Sequence, residues 1–399
     1  MVKTASLFSQ LLRHVPRAEF ASLVGKHRAE RYAKGFDSWT HFVAMLFAQV
    51  SGADSLRVIC NGLSSCVGKM VHLGVGRAPN KSTLCYANQH RPHQLFEDLF
   101  WASLDRFRQQ GLLGSPGKKF RFKFKLHLLD STTISLCLSL FPWAKFRRAK
   151  GGVKLHVLLD HDDYMPEFLS ISEASQHDVK FARVLQLKRG SFIVADRAYN
   201  DYALFAKWTD QGVFFVTRLK DNADYKVVRR LTPPQNRNIR RDQIIRFCGA
   251  KASLKCPHEL RRVEFWDEVN EKLLVFVTNN LELGASTIAK LYKERWKIEV
   301  FFKTLKQTLK VKTFIGTSEN ALRIQIWTAM LALLLFKWLH FLSKARWSLS
   351  NLVSMLRLNL FTYRDLSDWI NDPFGTPPLD PGGVQLDLGL HGFGQLAAS

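Results

Sequence analysis

Two short apolar runs, each closed by an aspartate, constrain the fold more than any other feature of the chain. LHLLD ends at Asp130 and SFIVAD ends at Asp196. Short, mostly apolar runs without helical spacing read as strands buried on both faces. Such strands need helices on each side. His177 to Leu187 and Asp201 to Trp208 read as helices, and GVFFVTRLK follows as a fifth strand. Between the two aspartates, LCLSLF and VKLHVLLD read as second and third strands. Phe120, Phe122 and Phe124 alternate with Arg121, Lys123 and Lys125, a half-exposed strand with a basic outer face whose buried end is LHLLD itself. Strands first in meander, then alternating with helices, imply an α/β fold with a mixed five-stranded sheet and flanking helices.

The flanking regions differ in kind. Residues 1 to about 105 read as short helices, broken at Gly52, Gly62, Gly68, Gly74 and Gly76. Phe42, Val43, Leu46, Phe47 and Val50 share a helix face that Ser38 or Asp37 could cap, and Ser82 opens another helix through Leu95 and Phe100. Residues 221–283 interrupt the alternation with a crowd of arginines and a predicted hairpin, RRVEFW with KLLVFVT. Helical spacing resumes at Ala285. The uncharged run Ile326 to Phe336 is too short to span a bilayer and reads as a buried helix. From Pro373 the chain is rich in Pro and Gly and reads as a loose tail.

With 399 residues the chain has room for two or three domains. Its net charge of +24 points to a polyanionic partner, most often nucleic acid. An anionic membrane would call for a polybasic tail or an amphipathic anchor, and neither is evident. The opening MVKTASLFSQLLRHV is too polar for a secretory signal. The six cysteines are scattered and match no common zinc spacing, as expected of a reduced intracellular protein.

Asp130 and Asp196, at the ends of neighbouring buried strands, can face a common point. Alone, each could equally be a turn former or a helix cap. A third carboxylate comes from LYKERWKIEVFFKTLKQ. On one helix at ~100° per residue, Tyr292, Arg295, Glu299 and Lys306 fall at about 0°, 300°, 340° and 320°. Mixed charges at this spacing are commonly a solvated face. Beside two strand-end aspartates, the stripe instead supplies Glu299 as a hard oxygen ligand, with Arg295 and Lys306 for phosphates. Trp296 lies at about 40° on the same wheel, suited either to stacking or to core packing. Asp160, Asp162 and Asp163 in LLDHDDY follow a strand in a turn and are weaker candidates. His177-Asp178 reads as a helix cap that could lie near the site.

The order of Asp130 in LLDSTTI, Asp196 in VADRAYND and Tyr292-x2-Arg295-x3-Glu299-x6-Lys306 resembles the DDE transposases of insertion-sequence family four. The resemblance covers roughly residues 120–340, and VPRAEF, FVAMLFAQVSGADSLR and STLCYANQHRP resemble an amino-terminal domain found in one branch. It implies a ribonuclease-H-like core interrupted by a β-rich insertion. The expected division is an N-terminal helical DNA-binding domain (1–110), a catalytic core (118–220 and 284–345), the insertion (221–283) and a C-terminal segment with a loose tail (346–399). It also implies a catalytic, metal-binding triad of Asp130, Asp196 and Glu299, holding two Mg²⁺ ions that Mn²⁺ could replace. Tyr292, Arg295, Trp296 and Lys306 would contact DNA. The activity implied is cut-and-paste transposition: nicking at the element end, a hairpin in the best-understood members, then attack of the 3′ ends on target DNA. The partners would be double-stranded DNA (transposon ends and target) and a second copy in a homodimer, with no membrane, in the bacterial cytoplasm at the nucleoid. A non-catalytic DNA-binding descendant and a metal nuclease without strand transfer are the alternatives. The retained triad argues against the first, and the Tyr-Arg-Glu-Lys signature against the second.

Overall fold

The computed structural model describes residues 5–375 other than 32, 67, 114–119, 121–123, 138, 148–149, 236–237, 308–314 and 346. Its strands are β1 (Leu126–Leu136), β2 (Lys145–Arg147), β3 (Lys150–Asp160), β4 (Pro166–Glu173) and β5 (Phe192–Ala195). They continue with β6 (Phe214–Arg218), β7 (Tyr225–Leu231), β8 (Ile239–Phe247), β9 (Leu260–Asp267) and β10 (Lys272–Thr278). All ten belong to one mixed sheet, in the order β2-β3-β1-β5-β6-β10-β9-β8-β7, with β4 paired to β3.

Five of these strands, ordered β4-β3-β1-β5-β6, match the expected core in number and alternation. β1, β5 and β6 run parallel, while β3 is antiparallel to β1 and to β4. This arrangement is compatible with a ribonuclease-H-like fold. Two expectations are corrected. LCLSLF is no strand: Leu136 closes β1, and Ser139 and Leu140 lie in a turn. The polar Ser131-Thr132-Thr133 stays in β1 because β3 pairs opposite it all the way from Asp160 to Gly151. The fifth core strand is instead β4, paired to β3. The sheet also exceeds five strands, because β10 pairs with β6 and carries β9, β8 and β7 outward. Residues 221–283 thus interrupt the core in sequence yet extend its sheet. The predicted hairpin is present, with Lys272 opposite Asp267.

Alternate residues of the buried strands feed two cores. Leu128, Phe192 and Val194 join one cluster, and Leu129, Ile193 and Ala195 join the other. The second is closed by Phe181, Phe205 and Trp208 from the helices Asp178–Val184 and Tyr202–Asp210. The first is larger. It contains the Glu319–Leu342 helix, which packs on Ser38–Ser51, Lys81–His90 and Gln94–Gln109. Among the described residues this helix alone is long and apolar enough to cross a membrane, and 83% of its apolar window is buried in the protein.

Asp37 caps Ser38–Ser51 by accepting from the Thr40 N–H at 2.6 Å. The helix expected from Ser82 through Phe100 is two helices, because Pro92 holds Arg91 extended at ψ 134°. Leu349–Asn359 and Leu366–Asn371 follow, and the tail beyond Gly375 lies outside the described residues, as do Arg121, Phe122 and Lys123 of the expected basic strand.

Candidate active site

Strand register brings the two aspartates together. The last parallel pair between β1 and β5 is Leu129 with Ala195. The next residue on each strand is an aspartate, so Asp130 and Asp196 sit on adjacent strands roughly 4.8 Å apart. Asp130 is not at a strand end, as expected, but inside β1, where the apolar part gives way to the polar part. Its Oδ1 accepts from the Ser131 N–H at 2.8 Å. Asp196 leaves β5 to cap a short 3₁₀ turn, accepting from the Ala198 N–H at 3.1 Å.

The third carboxylate arrives from the other side. The signature stretch is not one helix. Ala285–Lys293 and Trp296–Gln307 are separated by a turn at Glu294 and Arg295, where the Ile298 N–H reaches the Arg295 carbonyl. Buried Glu294 lies 3.1 Å from buried His161, which ties the turn inward. Arg295 and Glu299 still meet as an i,i+4 pair at 2.6 Å. The same guanidinium lies 3.5 Å from Asp130 and 3.5 Å from Asp196. Arg295 is therefore the hub of three carboxylates. Tyr292 packs beneath it, 8% exposed, with its ring against Phe276. Lys306 donates to the Thr132 hydroxyl, and with Lys303 it lines the same open cavity of about 400 Å³.

Burial pushes the Asp130 carboxyl up to about 7, helped by Asp196 and Glu299 and opposed by the Ser131 N–H and Arg295. Burial works against the Arg295 charge, but Tyr292, Glu299 and Asp196 outweigh it and hold the guanidinium above its ordinary range. Among the described residues, no three His, Cys, Asp or Glu side chains gather closely enough to hold an ion unaided. Here the carboxylates surround Arg295 instead of one another. Their donor chemistry fits a hard divalent cation: three carboxylates already face a single positive centre, and two of them stand side by side.

Residues 122–335 match the family described as the transposase DDE domain. The chain belongs to that family. Both aspartates, Glu299 and the whole signature stretch fall inside the match. Residues 3–76 match a domain of unknown function, DUF4372. A Sinorhizobium fredii protein named as a transposase is 31% identical over 312 residues, covering 76% of this chain and 83% of that protein. A Geobacillus stearothermophilus protein, named as a transposase for insertion sequence element IS5377, is 31% identical over 63% of this chain and 66% of its own length. A Synechocystis protein named for element IS4SA is 27% identical over 52% of this chain and 58% of its own.

Other residues of this DDE-family chain sort clearly. Trp296 is 62% exposed, so core packing does not explain it. The LLDHDDY acids serve the scaffold: Lys125 meets Asp160 at 3.0 Å, and Arg108 meets Asp163 at 2.7 Å. Asp178 does more than open a helix. Ser131, next to Asp130, donates to it at 2.5 Å, and Lys154 and His156 face it at 3.4 and 3.5 Å. Burial holds His156 down at about 4, hence neutral. Sequence reading missed Ser131, Thr132, Lys154 and His156. The only available signal was their place in the polar stretch after Asp130 and in the strand paired with it, where His156 stands opposite Ser131 and Lys154 opposite Thr133. Trp266, in the predicted hairpin, lies on β9 and is not among the described residues that line the carboxylate cavity.

Proposed function

We propose that the chain is an insertion-sequence transposase of family four, which binds terminal inverted repeats, cuts the element ends and joins the freed 3′ ends to target DNA. One observation supports this reading above the others: strand register sets Asp130 beside Asp196, and Arg295 links both to Glu299. Those three carboxylates would hold two Mg²⁺ ions, or Mn²⁺, which would lower the pKa of the attacking water and neutralise charge on the phosphodiester.

The chain's own residues do the rest. Arg295, Lys303 and Lys306 give the cavity its positive lining and draw in phosphate oxygens. On entry of DNA, Arg295 exchanges its carboxylate partners for a phosphate, onto which a guanidinium can fork. Trp296 offers an exposed ring to a displaced base. Tyr292 acts on the backbone through the guanidinium that covers it. The same carboxylates serve hydrolysis and strand transfer, with a hairpin as the intermediate between them. Joining two ends calls for two copies on DNA, in the bacterial cytoplasm at the nucleoid.

The test is cleavage of a duplex carrying the element's own inverted repeat. Asp130→Ala, Asp196→Ala and Glu299→Ala should each abolish nicking in Mg²⁺ while binding of the duplex persists. A variant that cuts at the normal rate removes its residue from the site. A denaturing gel resolves hairpin from open product, and joining to a plasmid separates a transposase from a simple nuclease.

A further inference from the structure

The N-terminal helical region contains a second cleft, of about 900 Å³, that shares no lining residue with the carboxylate cavity. It lies between the segment 28–36 and the Lys81–His90 helix, and its lining includes Arg28, Lys34, Phe36, Tyr86, His90 and Arg91. Among the described residues no carboxylate lines it. The two nearby acids are committed elsewhere: Glu30 accepts from the Ser38 N–H and Asp37 from the Thr40 N–H, each at 2.6 Å, where the Ser38–Ser51 helix begins.

Two kinds of group face this space. Arg28 and Lys34 are exposed and make no ion pair among the described residues. Tyr86 and His90, one helical turn apart, stack at 4.0 Å with 21° between their planes. The His90 Nδ1–H donates to the Tyr86 carbonyl at 2.9 Å, which fixes the imidazole. Tyr86 as a whole remains 66% exposed, with His90 on one face of its ring. Below, Arg91 lies over Phe36 and donates to the Asp37 carbonyl at 2.7 Å, so the floor is held in place. An open ring face beside unpaired cations suits a planar base on a phosphate backbone. A paired base shows no face to such a ring, whereas an unpaired one does.

We propose that this cleft binds an unpaired nucleotide of a DNA strand, with the base stacked on Tyr86 and the phosphates on Arg28 and Lys34. The inference rests on the reading of the chain as a transposase; Arg28 and Lys34 fall inside the match to the domain of unknown function at residues 3–76, and Tyr86 falls between that match and the DDE domain.

The test uses the full chain in EDTA, with fluorescent oligothymidylate and a blunt duplex as probes in anisotropy titrations. Tyr86→Ala should weaken oligothymidylate binding about tenfold or more, with the duplex changing by less than about twofold. Tyr86→Phe, which keeps the ring, should bind like the parent. Arg28→Gln with Lys34→Gln should lower the salt slope on the single strand by roughly 1.4. The cleft is overturned if the parent does not bind oligothymidylate, if Tyr86→Ala binds it unchanged, or if Tyr86→Phe loses as much as Tyr86→Ala. The outcome is separable from the reading of the carboxylate site. An unaffected Tyr86→Ala alongside dead triad variants sinks only the cleft. Lost stacking alongside a triad variant that still cuts sinks only the catalytic assignment.

Discussion

At the scale of single residues, burial makes charging Asp130 costly, and Arg295 offsets only part of that cost. Asp130 holds its proton more tightly when folded than when unfolded, since burial raises its carboxyl to about 7. Between roughly pH 4 and 7 the native state therefore binds more protons, and stability falls as pH rises through that window. Asp130→Asn removes the penalty. At pH 7.5 the metal-free variant should be more stable than the parent by about 2–4 kcal/mol, and at pH 4 the two should match. Urea melts at both pH values check this; parallel pH slopes would show that Asp130 titrates normally. Arg295 is the counterweight. Arg295→Gln leaves three carboxylates facing one another, so in EDTA the variant should lose about 1–3 kcal/mol. Mg²⁺ should then raise its Tm more than it raises the parent's, because no guanidinium competes for the oxygens. An equal Tm increment for both proteins would mean that Arg295 does not stand in for a cation.

Elements show where the sequence was readable and where tertiary contacts intervened. FIVA and the apolar half of β1 were legible because burial on both faces leaves them almost wholly apolar, with His127 the one exception. The second half of β1 was not, since Ser131-Thr132-Thr133 looks like a turn until β3 is seen opposite. The break between the signature helices carries no Gly or Pro. It follows from Glu294 turning inward to His161, a contact 133 residues away in sequence. The meeting of Asp130, Asp196 and Glu299 around Arg295 was nonetheless legible, because the aspartates follow the buried strand runs and the i,i+4 spacing of Arg295 and Glu299 survives the break. Asp178 was legible only as a helix opener that could lie near the site, since its link to Ser131 crosses 47 residues. The arginine crowd of 221–283 divides by burial. Arg229, Arg230, Arg240 and Arg241 are exposed, whereas Arg261 is buried against Asp242 at 2.6 Å and Arg262 against Glu264 at 2.6 Å; Arg237 lies outside the described residues. Removing one buried partner strands the other. Arg261→Met should cost about 3–5 kcal/mol, and adding Asp242→Leu should recover most of it. Chemical denaturation of the single and double variants measures the coupling, and additive losses would show that the pair is not a buried unit.

Across the whole molecule, the helical N-terminal region and the sheet share one hydrophobic cluster, with Glu319–Leu342 at its centre. The C-terminal helices close it from outside. Gly52 ends Ser38–Ser51 at φ +74°, and its missing side chain leaves room for Arg357, whose Nε donates to the Val50 carbonyl at 3.1 Å. Ser6 and Tyr363 bridge the two ends of the described chain. A division by sequence at residue 110 therefore cuts through packed side chains. A fragment of residues 1–110 would expose the faces of Ser38–Ser51 and Gln94–Gln109 that now rest on Glu319–Leu342. It should retain helical far-ultraviolet circular dichroism and lose the near-ultraviolet signal of fixed aromatic packing. The full chain should melt in one transition that carries both signals, because the helical region has no core apart from the cluster it shares with the sheet and Glu319–Leu342. Two resolved calorimetric peaks, or a fragment with a sharp Tm, would instead make the helical region an autonomous domain.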